Sequence, residues 1–124
     1  MATTIDMLMA MDVPEPQTRT LRVPRLQMPD GQPLTITIKQ LTYSQIAALR
    51  EHTRDFAVHT VLAGVQSPSL RNKELLAKYG VETPVDLVKK LFLAGEIEEI
   101  STEISRLAGY HRRTVELVQD VKKN

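Results

Sequence analysis

One stretch of the chain, residues 72–109, constrains the fold most, because it holds three consecutive segments with helical spacing. Each segment ends at a glycine: Gly80, Gly95 or Gly109. Glycine just beyond the last turn enters the left-handed conformation without a steric penalty and commonly stops a helix. The stretch therefore predicts three short helices with apolar faces. Those faces are made by Leu75, Leu76, Val85, Val88, Leu91, Phe92, Ile97, Ile100, Ile104 and Leu107.

Further helices are predicted on either side of this stretch. Thr42, with Gln45 three residues later, fits a capping box and starts a helix that we expect to reach about residue 52. After a break near residue 53, a second helix is expected over about 54–63. A strand is the open alternative for 56–65, because that run is rich in β-branched side chains. After Gly109 a last helix is expected over about 112–122, with Val115, Val118 and Val121 on one face.

Two alternating runs near the N-terminus, about 18–26 and 34–41, predict β-strands. Asp30-Gly31 lies between them and is a strong turn signal, so the runs predict a β-hairpin. Leu21 and Val23 are expected on the face that packs against the helices, with Arg19, Arg22 and Arg25 pointing outward. Proline cannot donate a ladder hydrogen bond, so Pro24 places its strand at an edge or at a bulge. The open edge could pair with a second copy or with another chain.

Residues 1–18 form a separate piece. One or two helical turns are expected after Thr4, before Pro14 and Pro16 stop the helix and stiffen an extended connector. Methionine is flexible and adapts to irregular surfaces, so this arm is either a partner-docking segment or a tail resting on its own domain. The apolar positions in question are Met7, Leu8, Met9 and Met11. The expected organisation is a flexible Met/Pro-rich arm, 1–18, followed by a single α+β domain, 19–124.

Composition narrows the function classes. A chain of 124 residues with a net charge of +1 fits one domain and shows no strong electrostatic attraction to nucleic acid or to an anionic membrane. The absence of cysteine excludes disulfides, thiolate metal sites and cysteine nucleophiles. No apolar run approaches the length of a membrane span. The first residues lack the charged and apolar regions of a signal peptide, so we expect the protein to stay in the cytoplasm.

Candidate catalytic and metal-binding patterns are weak. His52, Asp55 and His59 would share a face of an unbroken helix, but the predicted break separates them and no fourth ligand is evident. The glutamates of residues 96–103 fit the solvated face of a helix. Neither a Gly-x-Ser-x-Gly elbow nor a phosphate-binding glycine loop occurs in the sequence. The residues therefore predict no catalytic, metal or cofactor site, and favour a protein that binds other proteins.

Several short motifs resemble one known family. They are the hairpin and helix PLTITIKQLTYSQIAALRE, the segment NKELLAKYGV, and the run from DLVKKLFLAGEI to SRLAGY. Together they are similar to the tail assembly chaperones of long-tailed phages and defective prophages, the XkdN-like group. The likeness covers about residues 5–124 and is strongest at 72–110. Ala94 stands where the family pattern has proline before a Gly-Glu pair.

This resemblance implies an α+β fold in which an N-terminal β-hairpin packs on a bundle of about five short α-helices. It also implies a non-enzymatic assembly factor that binds the tape-measure protein in the host cytoplasm and is absent from the mature virion. Tail-tube subunits and a second copy of the chain are further expected partners. The alternative is an interaction or regulatory module unrelated to tails. The expected contact residues are Met7, Leu8, Met9, Met11, Leu21 and Val23, with the open strand edge.

Overall fold

A computed structural model describes residues 2–118 and has the expected α+β architecture. The elements are α1 (Thr4–Ala10), β1 (Thr18–Gln27), β2 (Pro33–Lys39), α2 (Tyr43–Leu49), α3 (Phe56–Gly64), β3 (Val65–Ser67), α4 (Lys73–Lys78), α5 (Pro84–Leu91) and α6 (Ala94–Leu107). The predicted hairpin and helical bundle are both present. A short helix in the arm and a third strand complete the described fold.

The sheet is antiparallel with strand order β1-β2-β3, so β1 lies at an edge. Thr20 of β1 pairs with Thr37 of β2, and the register shifts between Val23 and Gln27, on either side of Pro24. This arrangement confirms the expectation of an edge or bulge at Pro24. The hairpin turns at Gly31, whose φ of +86° is one that glycine adopts without strain.

The core lies between the inner face of the sheet and helices α3, α5 and α6. Its most deeply buried side chains are Ile36, Ile38, Thr60, Val61, Leu87, Val88 and Ile104. Thr60 is the polar member, and its hydroxyl donates to the carbonyl of Phe56 at 2.9 Å. Helix α3 lies against α6 at Gly64, where a Cβ would stand 2.6 Å from the side chain of Ile104. The close approach of these two helices therefore depends on a residue without a side chain.

The predicted helix starts have the expected hydrogen bonds. Thr42 Oγ1 accepts from the Gln45 amide at 3.2 Å, and Gln45 Oε1 accepts from the Thr42 amide at 2.9 Å, which confirms the capping box. Thr83 Oγ1 likewise accepts from the amide of Asp86, ahead of the first turn of α5. These contacts satisfy amide groups that have no partner within the helix.

One of the three predicted glycine stops is wrong. Gly80 and Gly109 have φ angles of +69° and +101° and follow helices as expected. Gly95 instead lies in the first turn of α6, because α5 already ends at Leu91. The amide of Leu93 donates to Glu96 Oε1 at 2.8 Å, so the chain is already capped to begin a new helix before Gly95 is reached.

The helical interpretation of residues 56–65 is confirmed, and the strand alternative is wrong except at Val65. The helix extends to Gly64, and Val65 begins β3, which pairs with β2 through Ile38. The predicted break before the helix is also present, since Asp55 has a left-handed φ of 60°. The preceding helix is shorter than expected, because α2 ends at Leu49.

The predicted last helix is wrong as far as residue 118. The chain turns at Gly109 and His111, both with positive φ, and Arg112 Nε donates to the carbonyl of Arg106 at 2.7 Å. Val115 and Val118, on the face expected to pack, are 81% and 92% exposed. Without an apolar surface to cover that face, a short helix has little to stabilise it. Val121 lies outside the described residues.

Candidate partner-binding surface

Helix α1 displays apolar side chains that the rest of the domain does not cover. Met7, Leu8 and Met11 are 54–58% exposed, Met9 is 80% exposed, and no residue of α1 is buried. Thr3 caps the helix, and its hydrogen bonds to Asp6 lower the pKa of that carboxyl. A helix of seven residues is marginal in water without tertiary contacts. Its cap and its exposed apolar side chains suit a segment that is stabilised when it meets a partner.

The two strand residues predicted as contacts lie on the inner face of the sheet. Val23 is 5% exposed and belongs to the core, and Leu21 is half-buried against it. Their side chains therefore hold β1 against the helices and are not grouped with the side chains of α1. What β1 presents to a partner is its backbone edge.

The free backbone groups of that edge can be assigned from the ladder. The amide of Gln40 donates to the carbonyl of Gln17 at 2.8 Å, so Gln17 points its carbonyl toward β2. Because hydrogen-bonding direction alternates along an antiparallel strand, Thr18, Thr20 and Arg22 point their amides and carbonyls away from the sheet. Pro24 is next in this outward series and has no amide to offer. The usable edge is therefore short and ends at a proline.

An ion pair that sequence patterning missed joins β1 to the turn between α5 and α6. Arg25 was expected to point outward, but its guanidinium donates to both carboxylate oxygens of Glu96, at 2.9 and 3.0 Å, and to the carbonyl of Leu91 at 2.8 Å. Strand alternation places Arg25 on the same face as Leu21 and Val23, and this was the sequence signal that could have predicted an inward contact. The hydrogen bonds from Arg25, and then from the amide of Leu93, lower the pKa of Glu96.

Arg25→Ala is expected to lower the melting temperature at neutral pH. Because the Glu96 pKa in the folded protein lies below its ordinary value of 4.5, the stabilisation is present above that pH and is lost as pH falls through the folded pKa. The melting temperatures of the wild-type and Arg25→Ala proteins should therefore converge at acid pH. Arg22→Ala is the control for loss of an exposed β1 arginine. A melting-temperature difference that stays constant down to acid pH would contradict the assignment.

Two grooves lie beside β1, and both combine residues that are distant in sequence. The larger, of about 630 Å³, lies at the turn end of the hairpin. Its apolar lining includes Leu26, Met28, Leu34, Leu70, Leu75 and Phe92. The smaller, of about 280 Å³, runs between β1 and α6 and has Leu21 and Ile100 beside the carboxylates of Glu99 and Glu103. Neither groove could be found from local patterning, since each requires the packed fold.

The histidine and aspartate trio is not arranged as a metal site. His52 and His59 stack with their ring centroids 3.8 Å apart, while Asp55 turns to Lys89 Nζ at 2.9 Å. Burial, followed by the nearby His52, lowers the pKa of His59. Within residues 2–118, no group of three potential ligands is placed to hold a metal ion. In the same part of the chain, no helix is long and apolar enough to cross a membrane.

Comparisons with known proteins agree with the sequence resemblance. The model of the phage XkdN-like tail assembly chaperone proteins matches residues 52–122. The crystal structure of the protein YqbN is similar in fold, with a TM-score of 0.59 and 22% sequence identity over 75% of this chain and 87% of that one. No curated protein gave a match. The matched residues include α3 to α6 and therefore most of the helical core.

Proposed function

Because this chain belongs to the phage XkdN-like tail assembly chaperone family, we propose that it binds the tape-measure protein during assembly of a long-tailed phage or prophage. It acts without catalysis, in the cytoplasm of the bacterial host, and leaves before the virion is complete. Tail-tube subunits are the second proposed partner, because they would replace the chaperone on the tape measure. Family membership is the observation that carries this proposal.

The exposed apolar surface of α1 supports the proposal. A tape-measure protein with apolar helical segments needs those segments shielded from water until the tail tube assembles around it. The exposed side chains of α1 and its C-cap offer adaptable contacts for such segments, namely Met7, Leu8, Met9 and Met11. The connector beyond α1 contains Pro14 and Pro16 and so holds the helix away from β1. Many copies along one tape measure would bind tightly together, while each remained displaceable.

A co-expression experiment tests the function. The protein encoded next to this chain with the length and apolar content of a tape measure is expressed with and without it, and the tagged chaperone is captured. We expect the long protein to become soluble and to be captured with several copies of the chaperone. A long protein that remains insoluble, or that is recovered without the chaperone, would contradict the proposal.

The contribution of α1 is tested by replacing Met7, Leu8, Met9 and Met11 with serine. Capture of the long protein is expected to fall at least about tenfold, since apolar contacts at the centre of an interface commonly contribute this much. Leu117→Ser with Val118→Ser is the matched control, because these apolar side chains are also exposed, at 78% and 92%. Equal losses in the two variants would indicate nonspecific stickiness in place of a defined contact.

A further inference from the structure

We propose that two copies of the chain pair through their β1 edges, with the strands antiparallel, and that each copy delivers its α1 to the large groove of the other. Thr20 of each copy lies at the centre of the pairing, opposite Thr20 of the second copy. This goes beyond tape-measure binding: α1 occupies the groove while the chain is free, and it leaves the groove when it contacts a tape-measure segment.

The two prolines around the free edge select the register. Thr18, Thr20 and Arg22 point their backbone groups outward, and the outward positions on either side of them are Pro16 and Pro24. With Thr20 opposite Thr20, Pro16 of one copy faces Pro24 of the other. The new ladder then ends where neither strand has an amide to donate, and every outward amide between the prolines finds a carbonyl. A shift by two residues in either direction would place the carbonyl of Arg22 or of Thr18 opposite a proline, which has no amide to donate.

Charge complementarity identifies a second copy as the occupant. In this register Arg19 of one copy lies beside Leu21 of the other, and Leu21 lines the small groove together with Glu99 and Glu103. Within the described residues Arg19 and Glu99 form no ion pair, and Glu103 has one long contact of 3.6 Å with Arg106. The two-fold arrangement places a free guanidinium next to each acidic groove wall. It also pairs threonines across the centre, a favourable cross-strand contact.

The direction and length of the arm fit the same arrangement. Going back along one chain from Thr18, the arm runs beside β1 of the second copy toward its hairpin turn. Beyond Pro24 of the second copy, the same direction leads toward Met28, which lines the groove of about 630 Å³. Residues 11–17 span at most about 23 Å when extended. The C-terminal end of α1 therefore lies at this apolar groove, and the exposed side chains of Met7, Leu8 and Met9 are available to enter it.

Cross-linking through an introduced cysteine tests the register on a clean background, because the chain has no cysteine of its own. Full-length Thr20→Cys, treated with a short bifunctional maleimide, is expected to give a covalent dimer. The control is Glu51→Cys, which places an exposed thiol outside β1 and should give no covalent dimer. Absence of cross-linking at position 20, or equal cross-linking at both positions, would overturn the proposal.

Sedimentation of the full-length chain up to high micromolar concentration tests the charge contacts. Arg19→Glu is expected to weaken the dimer about tenfold, since it places like charges together at both ends of the pairing. Adding Glu99→Arg to it should restore association, while Arg54→Glu, an exposed charge change elsewhere, should have no effect. Removing residues 2–11 should also weaken the dimer. A wild-type chain that stays monomeric, or an Arg19→Glu variant that associates as wild type does, would overturn the inference.

Discussion

Gly64→Ala is expected to destabilise the domain by about 1–3 kcal/mol or more, the usual range for forcing additional atoms into a packed core. The new Cβ would stand 2.6–2.8 Å from three carbons of the Ile104 side chain, which is itself fully buried. Ile104 is 0% exposed, so relieving these contacts requires a buried side chain or the two packed helices to shift. Chemical denaturation monitored by circular dichroism measures the loss.

Gly95→Ala is the matched control for this change. Gly95 lies in the first turn of α6, and an added Cβ would meet nothing within 4 Å. The same substitution there should be neutral or stabilise the protein by up to about 1 kcal/mol, because alanine has the higher helix propensity. Equal stability of the two variants would show that α3 and α6 are not in the close contact described here.

Leu87→Ala is expected to cost about 2–5 kcal/mol, the range for removing a large aliphatic side chain from a protein core. Leu87 is 0% exposed on α5, and its removal leaves a cavity in the layer between α5 and α3. Since domains of this size are stable by only about 5–15 kcal/mol, the variant should be close to unfolding at physiological temperature. Urea denaturation against Leu117→Ala, in which the altered side chain is 78% exposed, separates burial from side-chain loss. A loss of stability in Leu87→Ala no larger than that in Leu117→Ala would contradict the burial of Leu87 in the core.

The sequence predicted those features whose signals are local. Thr42 with Gln45, Thr83 with Pro84, and Asp30 with Gly31 each contain within four residues the groups that start a helix or form a turn. These features could be predicted because their hydrogen bonds and backbone conformations depend only on residues that are close in sequence.

Features that depend on distant residues were missed or placed wrongly. Strand β3 has three residues and exists through its pairing with β2. The sequence predicts Gly95 as a helix stop because the residue type alone does not distinguish a glycine after a helix from one in its first turn. Glu96 determines the outcome by accepting a hydrogen bond from the amide of Leu93. The grooves beside β1 need the whole fold, so the exposed apolar side chains of α1 were predicted as contacts without any indication of a receiving surface.

The unequal length of the two sheet edges limits how this protein can assemble. At the far edge, β3 has three residues and Pro68 follows it at once, so that side offers too little backbone to extend the sheet. Growth by strand addition is therefore possible on the β1 side alone. Once that side is occupied, the sheet formed by β1, β2 and β3 has no second edge long enough to add another strand. Such a protein can reach high concentration and still avoid ordered aggregation through its own sheet.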